Sequence, residues 1–205
     1  MVLEFVPGET LQDRLKELSK SKTKMPIEQA IKIVLNVCDA IGYAHKLGMV
    51  HRDIKPDNLM LNEAGQVMIA DLGLAKRGEG SEDAGVIGTP HFIPPEQALG
   101  KDVDRRADIY SLGATFFRMA TGRTLFSGKT AKEIVLKHIK EPPPAASSID
   151  ETIPDDLDLV LAKMLAKDPD QRYQSADDVI AALEEVCAHH GIKGSIIRKG
   201  VGKKV

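Results

Sequence analysis

The stretch His51-Arg52-Asp53-Ile54-Lys55-Pro56-Asp57-Asn58 reads HRDIKPDN, and Asp71-Leu72-Gly73 follows it after a short pair of apolar runs. Within a few positions it gathers an imidazole, a guanidinium, two carboxylates, an ammonium and an amide. Upstream, apolar residues fall at Ile27, Ala30, Ile31, Val34, Val37, Cys38, Ile41 and Ala44, a helical stripe. Pro26 suits its first turn and Gly48 lies just past its end. This helix reads as core, and it delivers Met49-Val50 straight into His51. Downstream, Leu59-Met60-Leu61 and Val67-Met68-Ile69-Ala70 flank Asn62-Glu63-Ala64-Gly65, which predicts a small hairpin.

The chain has 205 residues, enough for one domain or a little more with a proper core. Net charge is −2; Lys193 to Val205 carry five Lys/Arg and no acid, so the body before them sums to −7. An acidic body argues against nucleic acid as the main partner. Cys38 and Cys187 both fall in helical patterns and read as buried free thiols, in keeping with a reducing compartment. No apolar run reaches the length of a membrane span, and Met1 is not followed by a charged-then-apolar leader pattern. The expectation is a soluble, cytoplasmic chain without a membrane span.

Apart from one conservative swap, HRDIKPDN resembles the catalytic loop of protein kinases. A surface turn rich in Asp and Lys is the bland alternative; six matching positions with a downstream Asp outweigh it. Phosphoryl transfer to a hydroxyl needs a carboxylate for the hydroxyl, a cation for the phosphate's developing charge, and oxygens for magnesium. The resemblance implies that Asp53 takes the first role, Lys55 the second, and Asn58 with Asp71 the third. ATP and Mg2+ are the implied cofactors, and a protein serine or threonine the implied substrate. Lys55, two places after Asp53, is similar to the serine/threonine rather than the tyrosine kinases.

Other positions follow from the same likeness. His51 could be read as a general base, but in kinases it packs beneath the loop, which is the reading preferred here. Arg52 is either a solvated charge or the captor of an activation-loop phosphate; its place before Asp53 favours the second. Met60 resembles the floor of the adenine pocket. In Asp71-Leu72-Gly73, leucine stands where phenylalanine is usual and keeps an apolar plug. Ser81 is the only hydroxyl between Asp71 and Thr89, hence the expected phosphosite. Thr89 matches the threonine that bridges the catalytic Asp and Lys. Gly88 to Glu96 resembles the substrate-docking loop, with Pro94 replacing an alanine. Glu96 is expected to pair with Arg172, and Asp108 to bond the backbone of His51-Arg52. Pro95-Glu96-Gln97-Ala98 and Asp108 to Gly113 are especially similar to bacterial eukaryotic-like kinases.

At the N-terminus, Val2 to Val6 resembles the kinase hinge, with Leu3 as gatekeeper and Glu4 and Val6 offering a carbonyl and an amide to adenine. Glu9 or Thr10 opens a helix to about Ser19. Further helices are expected over Asp104–Thr121, from the capping box Thr130–Glu133 to Pro142, over Asp155–Lys167 and over Ser175–His190. The small lobe that precedes the hinge in kinases has no counterpart here: no G-x-G-x-x-G occurs, nor a strand lysine with its helix glutamate.

The expected fold is therefore mainly α (α+β), a kinase-like C-terminal lobe with a small catalytic-loop β-hairpin and no N-terminal lobe. Its parts are a hinge over 1–8, the lobe over 9–190 and a basic tail over 191–205. The expected function is serine/threonine kinase chemistry, inactive in this chain alone, with a missing N-terminal lobe as partner. A non-catalytic kinase-like binding module is the alternative, and a fragment whose small lobe lies upstream is the third reading.

Overall fold

The computed structural model describes residues 8–62, 67–70 and 90–192. The hinge positions Leu3, Glu4 and Val6, together with Asp71, Ser81, Thr89 and the basic tail, lie outside these residues. The described part is mostly helical with one small sheet. In order come β1 (Glu9–Thr10), α1 (Leu11–Lys20), α2 (Ile27–Lys46), β2 (Leu59–Leu61), β3 (Val67–Ile69) and α3 (Pro95–Ala98). After these follow α4 (Arg105–Thr121), α5 (Ala131–Lys140), α6 (Asp155–Met164) and α7 (Ala176–His190).

The helix α4 runs through the middle. Ala107 to Phe117 are all buried, because α2 packs on one side and α6 on another. Gly113 permits the second contact: a Cβ there would lie 2.9 Å from the Met164 Cβ. Asp104 caps α4 by accepting from the Arg106 N–H, and Gly122 ends it in the left-handed region at φ 72°, where glycine carries no Cβ penalty. α2 is buried more widely than its stripe implies. Ile33 and Leu35 are covered too, since α4 and α7 both lie against it. Cys38 and Cys187 are buried free thiols, and burial pushes the Cys38 thiol up. No described helix is long and apolar enough to cross a membrane.

The sheet has the order β1-β2-β3 and both pairings are antiparallel, with Thr10 opposite Met60 and Met60 opposite Met68. β1 was not expected from sequence: its two residues join the predicted hairpin and carry the chain into α1, which Thr10 caps by accepting from the Asp13 N–H. Gly8 lies against the Leu61 carbonyl, too close for any side chain. α1 packs on β1, β2 and the 3-10 turn Pro56–Asn58, and β3 lies against α2. The turn is the C-terminal part of the HRDIKPDN loop, whose His51 and Arg52 backbone is bonded to α4.

Candidate active site

α2 ends at Lys46, and Gly48, at φ 74°, turns the chain toward His51. The loop is then anchored from the far side of the sequence. Asp108, 1% exposed on α4, accepts from the His51 N–H at 2.8 Å and the Arg52 N–H at 2.7 Å. Its Oδ2 also meets His45 Nε2 at 2.8 Å. Arg52 adopts φ 67°, and a non-glycine residue there costs of order 1–3 kcal/mol. Charge-assisted bonds from a buried carboxylate are of the size needed to hold it.

This anchored backbone presents Asp53. The Asp53 Oδ2 accepts from Lys55 Nζ at 2.7 Å and from Asn58 Nδ2 at 2.9 Å. Asn58 Nδ2 also donates to the Asp53 carbonyl at 2.8 Å. The Asp53 side chain keeps 58% of its surface open, so a hydroxyl can reach it. Asn58 is 8% exposed, and its amide nitrogen is committed to Asp53. Among the described residues no three His, Cys, Asp or Glu side chains group as a metal site, and Asp71 lies outside them.

His51 lies under the loop, 5% exposed. Its Nδ1 accepts from the Asp53 N–H at 3.3 Å, so Nε2 carries the proton toward the Ala70 carbonyl, also at 3.3 Å. The Ala70 N–H donates to the Asn58 carbonyl at 2.9 Å. Two bonds thus tie the loop to the residue immediately before Asp71. Met60 is half-buried between buried Leu59 and Leu61, so strand alternation turns it to the opposite, outer face of the sheet, beside Met68. The Arg52 side chain is exposed, with no ion-pair partner among the described residues.

Glu96 and Arg172 meet as a two-pronged buried pair, with both contacts at 2.7 Å. Arg172 Nε donates to the Ala166 carbonyl at 2.7 Å, and its terminal nitrogens also reach the Arg106 and Lys167 carbonyls at 3.1 Å. Every guanidinium donor has a target, which offsets the cost of burying the charge. The Tyr110 ring lies 4.9 Å from the guanidinium carbon, and its hydroxyl is 2.9 Å from His138 Nδ1. Ser111 Oγ donates to the Phe92 carbonyl at 2.8 Å, fixing the segment before Glu96 onto α4.

Sequence reasoning missed His45, Ser111 and Arg118 in this region. His45 directly follows the last residue of the α2 stripe. No local signal says that its partner lies on another helix.

A model of the protein kinase domain matches residues 1–190. A probable serine/threonine-protein kinase of Clostridium perfringens is 40% identical over 189 residues, covering 91% of this chain and 27% of that protein. A probable serine/threonine-protein kinase of Streptomyces coelicolor is 39% identical, covering 90% and 28%. The serine/threonine-protein kinase PknB of Mycobacterium leprae is 39% identical over 190 residues, covering 91% and 30%. The chain spans less than a third of the length of these curated relatives. Matched over most of its residues by the kinase-domain model and by such relatives, the chain belongs to the protein kinase family, in its bacterial serine/threonine branch.

Proposed function

We propose that this chain carries the phosphoacceptor half of a magnesium-dependent serine/threonine protein kinase, which moves the γ-phosphoryl group of ATP to a protein hydroxyl. The observation that carries the reading is the Asp53 carboxylate, open to solvent and oriented by Lys55 at 2.7 Å and Asn58 at 2.9 Å. In this reading Asp53 accepts the substrate's hydroxyl proton as the oxygen attacks. Lys55 holds that carboxylate and steadies the transferred phosphoryl, with Thr89 bridging the two. The Asn58 amide oxygen and Asp71 are the magnesium ligands, consistent with an Asn58 nitrogen already committed to Asp53. Magnesium held there would supply charge neutralisation to the phosphates. Leu3, Glu4 and Val6 would line the adenine site with Met60, whose outer-face position suits a floor. Arg52, exposed and unpaired among the described residues, would receive a phosphate on Ser81.

The family's glycine-rich loop and strand lysine have no counterpart in these residues, so phosphoryl transfer by the chain alone is expected to be absent. With a small lobe of a bacterial relative joined ahead of Met1, radiolabelled phosphate should pass from magnesium-ATP to a generic protein substrate. Asp53→Asn should reduce that rate by about 10²-fold or more, the scale at which general-base groups act. A folded fusion without transfer, or transfer that survives Asp53→Asn, would overturn the assignment.

A further inference from the structure

α1 and the turn after it face the C-terminal end of α4 across a groove of about 520 Å³. Six of its lining side chains are cationic, Lys16, Lys20, Lys22, Lys24, Arg118 and Arg123, and no described residue lining it is acidic. Asp13 offsets Lys16 at 3.3 Å and Asp150 offsets Lys24 at 2.7 Å, both from outside the groove. Lys20, Lys22, Arg118 and Arg123 have no carboxylate at ion-pair distance among the described residues.

Arg118 sets this groove apart from a solvated lysine face. It is half-buried on α4, and burial pulls its pKa down, opposed only by the charge of Asp57. Asp57 belongs to the HRDIKPDN loop, four residues from Asp53. The guanidinium also lies 6.0 Å from the centre of the Phe92 ring, on the segment leading to Glu96. Arg118 is thus the lining residue that links the groove to the Phe92 segment and to the charge of the HRDIKPDN loop. A poorly solvated guanidinium with free donors is well suited to receive a carboxylate. Leu15 and Met25 supply an apolar floor, where such a pair gains strength from reduced screening.

We propose that this groove holds an acidic segment of the protein substrate, with Asp or Glu side chains near the phosphoacceptor Ser or Thr on Arg118 and on the Lys20/Lys22 rim. The proposal rests on the kinase reading above and names its substrate class. Body charge narrows the partner. The body before the tail sums to −7, so an extended polyanion lying along it meets net repulsion, while a short acidic peptide needs only the groove. The concave shape likewise fits a few side chains rather than a lipid surface.

The test is fluorescence anisotropy on the 205-residue chain, with a labelled peptide bearing one serine among glutamates and its glutamine counterpart. The acidic peptide should bind at least about tenfold tighter than the neutral one, with affinity falling as salt is added. The exposed double variant Lys20→Glu/Lys22→Glu should cost about tenfold or more in affinity. Arg118→Gln should weaken binding too, and if it does not fold the double variant decides. Anisotropy reads binding without transfer, so loss of transfer in the fusion assay and loss of peptide binding report on different readings. Equal binding of both peptides, indifference to the variants, or equal variant-sensitive binding of poly(dT) or phosphatidylglycerol vesicles would sink the proposal.

Discussion

Asp108 gathers two backbone N–H groups and one imidazole onto a single buried carboxylate. Asp108→Ala should therefore strand three donors in the interior and lower stability by about 3 kcal/mol or more, read from urea denaturation. That an aspartate inside an otherwise apolar helix needs partners is visible in sequence, because an unpaired buried charge is too costly to persist. Two of its partners were anticipated through the kinase likeness. His45 was not, since its contact spans 63 positions and depends on how α2 crosses α4. The left-handed Arg52 was also hidden, because the residue type gives no reason for φ 67° and only the bonds from Asp108 supply one.

Helix ends show which signals are local. Ser175 accepts from the Asp178 N–H at 3.2 Å, and the Asp178 carboxylate accepts from the Ser175 N–H at 2.9 Å, the reciprocal cap that Ser-x-x-Asp announces. Ser175→Ala is expected to cost about 1 kcal/mol, seen as a lowered thermal midpoint with the fold intact. Thr130-x-x-Glu133 carries the same signature but forms only half of it. Thr130 accepts from the Glu133 N–H, while the Glu133 carboxylate takes the Lys129 N–H at 2.8 Å. The preceding turn brings Gly128 against Glu133 and so redirects the carboxylate. α6 likewise stops at Met164, short of the expected Lys167. The Ala166 and Lys167 carbonyls are turned toward Arg172 instead, a demand made by tertiary structure rather than by helix propensity.

Across the whole molecule, the Glu96–Arg172 pair joins α3 to the approach to α7, and the cluster that Tyr110 links to it titrates. Burial, then the charges of Lys167 and His91, push His138 from its ordinary 6.5 down to about 3. Between those values the unfolded chain binds a proton that the folded one refuses, so stability is full above about pH 6.5 and declines as pH falls toward 3. His138→Gln should flatten the fall in urea midpoint between pH 6.5 and 4, and an unchanged slope would refute this origin. Lys167, pulled down by burial to about 8, acts in a separate alkaline window. His91, also lowered by burial, shares the acid limb, so it is the change of slope on His138→Gln that reads His138. By itself the sequence determined the family, the helix stripes, the hairpin and the catalytic-loop residue types. These follow from short-range periodicity, turn chemistry and a motif contiguous along the chain. Only the tertiary structure decided the bonds that anchor that motif, the added strand β1, the breadth of α2's burial and the cationic groove beside Arg118. Each depends on which faces of distant helices meet, and burial and charge compensation are properties of that meeting.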